Sequence, residues 1–149
     1  MRFPRTVVAL EVLTSLAAAA APNTVPKKLL ASIGGGDGPS YSVELKGAGF
    51  VIYTATNAEA GSTDVGGLRM KVSDEQWAAF REALEKAGAF GWKPRYASSH
   101  SKSGTSWHLE VDFGDKKVSS SGDNTYPPKA QFDALLAAVS ALTGGKAFK

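Results

Sequence analysis

Three side chains that can bind a metal ion or transfer protons occupy alternate positions of one segment: His108, Glu110 and Asp112. Successive residues of a β-strand point to opposite faces of the sheet, so this spacing places all three on one face. An imidazole beside two carboxylates suits a divalent cation or acid–base catalysis. The same alternation is typical of any strand whose polar face meets water. Because three ligands rarely converge from a single strand, we predict a binding surface here and assign no metal ligand and no catalytic residue.

A second histidine, His100, lies in a serine-rich stretch between residues 97 and 104. Serine, histidine and an acidic residue can form a catalytic triad, but triads are defined by geometry, and the chain has no Gly-x-Ser-x-Gly nucleophile motif. A small hydrolase or a metal-assisted enzyme using His100, His108, Glu110 or Asp112 stays the alternative hypothesis. No cofactor is predicted.

Glycines and tryptophans supply two further patterns with a functional interpretation. The run from Gly34 to Gly38 has the composition of a phosphate-binding loop, but such loops directly precede a helix. Pro39 and a predicted strand follow instead, so we predict a turn. Three tryptophans are enough for a ligand platform. Trp77 and Trp107 fall on predicted core faces, whereas Trp92 lies in a loop where it can be exposed.

The composition is that of one globular domain. The chain has 149 residues, of which 43% are hydrophobic and 21% are charged, ordinary values for a folded domain. The absence of cysteine excludes disulfides, thiolate zinc sites, cysteine nucleophiles and a lipidated N-terminal cysteine. The net charge of +3 comes from scattered residues, without the dense basic stripe of a nucleic-acid-binding protein.

The first 20 residues have the pattern of a cleavable signal peptide. Two arginines precede a mostly apolar stretch from Val7 to Leu16, and a run of alanines follows. Cleavage after Ala19 or Ala20 fits the small-residue preference of signal peptidase and leaves residues 21–28 as a polar leader. Glu11 interrupts the apolar stretch, so an N-terminal helix packed on the domain is the alternative. The uninterrupted run is too short for a transmembrane helix, and no stable membrane anchor is predicted.

Two amphipathic helices have clear signals. Ser73 and Gln76 form a capping box at the start of the first, and Gly88 ends it. The second follows Tyr126-Pro127-Pro128, with Pro128 in its first turn, and ends at Gly144-Gly145. The predicted buried stripes are Trp77, Phe80, Leu84 and Ala87 in the first helix and Phe132, Leu135, Leu136, Val139 and Leu142 in the second.

Alternating apolar residues predict strands around these helices. They are Tyr41–Leu45, Phe50–Ala55, Leu68–Val72, Thr105–Phe113 and Lys116–Ser121, after a short apolar run at Leu29–Ile33. Phe50–Ala55 is apolar at nearly every position, which predicts a strand that is central or covered on both faces. Hairpins connect most strands, so the sheet should be antiparallel. We predict an α+β two-layer sandwich with both helices on one face of an antiparallel sheet, as a single domain over residues 29–145.

Two groups of residues resemble small bacterial domains of unknown function that occur in exported proteins. The first is Gly36-x-x-Pro39-x-Tyr41-Ser42-Val43, followed by Gly49, Val51 and Tyr53; the second is Gly104-x-x-Trp107-x-x-Glu110, followed by a hairpin, a proline and a leucine-rich helix. The resemblance spans about residues 32–144. It implies this order of elements and an exported setting, but no activity and no catalytic residue. Many members carry a cysteine pair where Gly34 and Gly38 stand here.

From these patterns we expect an exported, non-enzymatic binding or accessory domain of the cell envelope, periplasmic or secreted. Its expected partner is a protein, a peptide or an envelope component, and not nucleic acid. A structural domain without a ligand of its own is a further alternative.

Overall fold

The computed structural model describes residues 25–35, 38–56, 65–97 and 104–149. The strands are β1 (Lys28–Gly34), β2 (Ser40–Leu45), β3 (Phe50–Thr56), β4 (Val65–Lys71), β5 (Arg95–Tyr96), β6 (Ser106–Asp112) and β7 (Lys117–Asp123), and the helices are α1 (Asp74–Ala87) and α2 (Lys129–Leu142). A short 3-10 helix, Ala89–Gly91, follows α1. The predicted signal peptide, residues 21–24 of the polar leader and His100 lie outside the described residues.

The seven strands form one sheet in the order β4-β3-β2-β1-β6-β7-β5. Every neighbouring pair is antiparallel except β5 and β7, which pair in parallel through two residues. The central strand is β1, whose Leu30 lies between Glu44 of β2 and Glu110 of β6. The structure therefore confirms the predicted α+β class and an antiparallel sheet, with one short parallel addition at its edge.

Both helices lie against the same face of the sheet. In β1 the residues Leu29, Ala31 and Ile33 are buried under them, while the intervening residues are only half-buried. The same alternation runs through β2, β3, β6 and β7. One face thus forms the hydrophobic core, and the opposite face, which we call the open face, carries no helix among the described residues.

Helix α1 begins and ends at the predicted residues. The Ser73 hydroxyl accepts the backbone N–H of Gln76 at 3.1 Å, and the Gln76 side chain accepts the backbone N–H of Ser73 at 2.9 Å. At the other end Gly88 adopts a φ of 75°, which an L-residue rarely tolerates. The buried residues of the helix are Trp77, Phe80, Leu84 and Ala87, the stripe predicted from the sequence.

Helix α2 differs from its prediction in two details. Pro128 is its N-cap and lies just before the first helical residue, Lys129. Ala138 belongs to the buried stripe, and Leu136 is only partly buried. The core also extends beyond residue 145, because the phenol of Tyr53 donates a hydrogen bond to the carbonyl of residue 147 at 2.7 Å and Phe148 is buried.

Trp92, whose exposure the sequence left open, is buried. Its ring packs edge-on against Trp107, with centroids 6.0 Å apart, and its indole Nε1 donates to Gln131 of α2 at 2.9 Å. Trp107 and Trp77 are also buried. The loop after α1 folds back under α2 and brings Trp92 into the core, so the three indole rings pack in the interior and form no surface platform.

Strand β3 is paired on both sides, but it lies second from the edge and is covered by helices on one face only. On the open face its Phe50 ring lies beneath the guanidinium of Arg69, 4.1 Å from the ring centroid, and 5.3 Å from Lys71 Nζ. Cation–π contacts of this kind stabilise a partly exposed ring. They explain how an almost continuously apolar strand is tolerated in a sheet that has helices on one face only.

Candidate functional site

The predicted binding residues of β6 lie together on the open face. Trp107, Leu109 and Val111 are buried beneath the helices, so the alternate positions, His108, Glu110 and Asp112, point away from them and are half-buried. The division of the strand into an apolar and a polar face is therefore the one that the alternation predicted.

The three polar side chains of β6 have different partners. Glu110 lies between Lys28 and His108, with Oε2 3.1 Å from Lys28 Nζ and Oε1 3.7 Å from Nε2 of His108. Asp112 instead accepts the backbone N–H of Gly114 at 2.7 Å, which stabilises the turn into β7. The strand thus forms a His108–Glu110–Lys28 group and a separate turn-stabilising carboxylate.

Within the described residues, no group of three or more His, Asp or Glu side chains is placed to hold a metal ion. The glycine run at 34–38 differs from a phosphate-binding loop, because the backbone N–H of Gly38 donates to the carbonyl of Gly35 at 3.3 Å and β2 begins two residues later. The turn predicted there is confirmed for its described residues.

Beside His108 the open face has a shallow hollow of about 360 Å³. Six serines and threonines line it: Ser32, Ser40, Ser42, Thr54, Thr56 and Ser106. The buried residues Ile33, Tyr41 and Trp107 also border it. The serines and threonines come from four neighbouring strands, β3, β2, β1 and β6, and we call this feature the hydroxyl hollow. His108 also lines it, so the predicted site and the hollow are continuous.

The strand register arranges these hydroxyls in two rows. The first row runs across the sheet from Thr54 through Ser42 and Ser32 to His108. The second row runs from Thr56 through Ser40, and its β6 member is Ser106 opposite Gly34. Paired strands lie about 4.8 Å apart, and alternate residues of one strand about 7 Å apart, so the rows form a regular grid of hydroxyl groups.

The floor of the hollow depends on Gly34. A Cβ atom at this position would lie 2.3 Å from Oγ and 2.5 Å from Cα of Ser40, and the glycine has a φ of 154°. Only a residue without a side chain fits this approach. Because Gly34 adds no side chain and its neighbours carry serines and threonines, the surface is recessed at this end of the sheet.

An ion pair borders the hollow on the β7 side. The hydroxyl of Ser106 donates to Oδ1 of Asp123 at 2.7 Å, and Arg95 of β5 pairs with the other carboxylate oxygen. The hydrogen bond from Ser106 and then the one from Arg95 lower the pKa of Asp123 below its ordinary value. Asp123 is therefore ionised at neutral pH and fixes the orientation of the Ser106 hydroxyl.

The hydroxyl residues were absent from the predicted site, although the sequence carries a signal for them. Hydroxyl-bearing residues recur two apart in the pairs Ser40 and Ser42, and Thr54 and Thr56, and the polar pair Ser106 and His108 has the same spacing. Two-residue spacing in a strand means a shared face. The missing information was that these strands are neighbours, with their polar ends side by side.

Comparison with protein-family models and with curated proteins finds no match for this chain. The resemblance to small exported bacterial domains therefore rests on the motifs of the sequence. Among the described residues, no helix is long and apolar enough to cross a membrane.

Proposed function

We propose that this protein is an exported, non-enzymatic binding or accessory domain of the cell envelope, which acts through its open face. The observation that carries the proposal is the placement of His108, Glu110 and the hydroxyl residues on a sheet face that lacks a helical layer. These side chains contribute little to the core, because the opposite face holds the buried aromatic and aliphatic residues.

The geometry of the face favours binding over catalysis. The Glu110 carboxylate contacts Lys28 and His108, and the Asp112 carboxylate accepts a hydrogen bond within the turn into β7. A catalytic pair needs a nucleophile or a base within hydrogen-bond reach of its partner and a position for the reacting atom. A recessed, polar and solvent-open surface instead has the features of a recognition site.

A triple alanine variant at His108, Glu110 and Asp112 tests the role of the face. His108→Ala and Glu110→Ala should each alter the free energy of unfolding by no more than about 0.5 kcal/mol, since half-exposed side chains contribute little to stability. Asp112→Ala also removes the hydrogen bond to the backbone N–H of Gly114 and should cost about 0.5–1.5 kcal/mol. A matched triple variant on the outer helical surface, at Glu82, Lys86 and Asp133, provides the control. We expect the β6 variant to lose an envelope partner that the wild type and the helical variant both retain in affinity capture from a native envelope fraction.

Two outcomes would overturn this assignment. Equal capture by all three proteins would exclude the polar positions of β6 from binding. Stoichiometric zinc or manganese binding in a calorimetric titration, abolished by His108→Ala, would replace the binding hypothesis by the metal-assisted alternative.

Export is the second element of the proposal and has its own test. The arginines, apolar stretch and alanine run at residues 1–20 support it. The intact mass of the protein from an envelope fraction should lack about 19–20 N-terminal residues. Full-length chain recovered from the cytosol alone would contradict export and leave the binding surface to be explained in that compartment.

A further inference from the structure

We infer that the hydroxyl hollow binds an uncharged, polyhydroxylated ligand, namely a stretch of neutral glycan. This inference rests on the proposed binding function and names the chemistry of its ligand. It is supported by the composition of the hollow, by the geometry of its hydroxyl grid and by the burial of the two aromatic residues among its described lining, Tyr41 and Trp107.

The described lining of the hollow favours a ligand without strong net charge. Among the described residues that line the hollow, none is lysine, arginine, aspartate or glutamate. Proteins bind anionic groups mainly with arginine and lysine and hard cations with carboxylates. Three charged pairs flank the hollow among the described residues: Arg95 with Asp123, Lys28 with Glu110 and Lys46 with Glu44. A neutral ligand matches the described residues that line the hollow.

The hydroxyls are available to such a ligand. Within the described residues, no hydrogen bond joins the side chains of Ser32, Ser42 or Thr54 to another group. Each hydroxyl can donate one hydrogen bond and accept others, which is also the capacity of every sugar hydroxyl. Ser106 donates to Asp123, so its remaining lone pairs are oriented as acceptors for a ligand hydroxyl.

The grid favours an extended ligand with many polar groups. The row Thr54, Ser42, Ser32 and His108 crosses four strands and spans about 14 Å at the ordinary strand spacing. A ligand with one or two hydroxyls would engage only a corner of this row. The volume of about 360 Å³ lies at the lower end of ligand pockets, and the hollow opens to solvent, so a chain can lie across it.

A protein partner fits this part of the face less well. Binding energy in protein interfaces is concentrated in aromatic and arginine anchors that fill pockets. The open-face side chains that line the hollow are mostly serines and threonines, whereas Ile33, Tyr41 and Trp107, which also line it, are buried in the core and cannot serve as anchors. The open-face ring of Phe50 lies four residues before Thr54 along β3, beneath Arg69 and Lys71. Small hydroxyl groups distributed at regular intervals match the repeated hydroxyls of a glycan more closely than the surface of a folded protein.

The test is a titration of the full ¹⁵N-labelled chain, followed by amide chemical shifts, with three soluble tetrasaccharides. Two are neutral, chitotetraose and cellotetraose, and the third, tetragalacturonate, is anionic. We expect shift changes with a neutral tetrasaccharide at amides around Ser32, Ser42 and Thr54, and weaker or no binding of the anionic one.

Variants then locate the site. Thr54→Val and Ser42→Ala each remove a hydroxyl from the first row and should weaken binding about 3- to 10-fold, the loss expected for one hydrogen bond. Ser119→Ala is the matched control, because Ser119 is an exposed hydroxyl of the same face that lies opposite Glu110 and outside the hollow. Its affinity should equal that of the wild type. Unchanged urea midpoints show that the variants are folded.

The outcomes separate this inference from the proposed function. Absence of shifts with both neutral sugars, tighter binding of the anionic one, or equal effects of Ser42→Ala and Ser119→Ala would overturn the glycan assignment. If envelope capture still depended on the polar residues of β6, the binding function would stand with a different ligand. If capture did not depend on them either, both would fall.

Discussion

Replacing Trp107 by alanine should destabilise the protein by about 3–5 kcal/mol. The indole is only 4% exposed and lies among the rings of Trp92, Tyr96 and Phe132, with centroids 5.1–6.0 Å away. Loss of about 150–200 Å² of buried aromatic surface, at about 25 cal/mol per Å², corresponds to about 4–5 kcal/mol. The substitution also removes the hydrogen bond from Nε1 to the Thr125 carbonyl, which is 2.9 Å long.

Urea denaturation followed by far-ultraviolet circular dichroism measures this loss. With a slope of about 2 kcal/mol per molar urea, the midpoint should fall by about 2 M. Tyr126→Ala is the control, because Tyr126 also contacts Phe132 but is 39% exposed; it should cost less than about 1 kcal/mol. A Trp107→Ala midpoint equal to that of the wild type would mean that the apolar side of β6 does not face the helices, and the open face would be misassigned.

Three further predictions concern the hydrogen bond of the Trp107 indole, the close approach of Gly122 to that indole, and the ion pair between Arg81 and Asp115. In urea denaturation, Trp107→Phe should lower the free energy of unfolding by about 1 kcal/mol more than Trp77→Phe does. The first change removes the hydrogen bond from Nε1 to the Thr125 carbonyl, whereas Nε1 of Trp77 is buried without a partner among the described residues. Equal losses would contradict this. Gly122→Ala should cost about 1–3 kcal/mol, since its Cβ would lie 2.5 Å from Nε1 of Trp107, and an unchanged melting temperature would refute the close approach. Hydrogen bonding to Arg81 lowers the pKa of Asp115 below 3.8, so this carboxylate stabilises the fold above about pH 4 and the contribution disappears as pH falls through the lowered pKa. Asp115→Asn should therefore flatten the decline of stability between pH 5 and pH 2 in thermal unfolding, and an identical decline would exclude the pair as its source.

Local signals in the sequence predicted the elements whose geometry is set by near neighbours. The capping box at Ser73, the glycine after α1 and the alternation through β6 each involve residues less than ten positions apart. Hydrogen bonding at a helix end and the two-residue period of a strand act over that range. These elements were therefore recognisable without knowledge of the tertiary structure.

The elements that depend on distant partners were not recognisable. The run Leu29–Ile33 is too short to indicate a strand by itself, yet β1 is the centre of the sheet because it pairs with β6, almost 80 residues later. Strand β5 has two residues and exists through its pairing with β7. The burial of Trp92 was left open for the same reason, because it depends on Gln131 and Phe132 of α2.

The open face changes character halfway along its strands, and folding alone does not account for the change. In one half the outward residues of β3, β2 and β1 are Ile52, Glu44 and Leu30; two residues further along the sheet the same strands carry Thr54, Ser42 and Ser32. The two sets lie on the same face of the same three strands, and β1, β2 and β3 pair with one another through both sets, so the propensity of these strands acts on both. Larger side chains in the second set would cover more of the sheet, as those of the first set do. What distinguishes the second set is a recess lined with hydroxyls, and the ligand recognition proposed for that recess would give these small residues a role that stability does not provide.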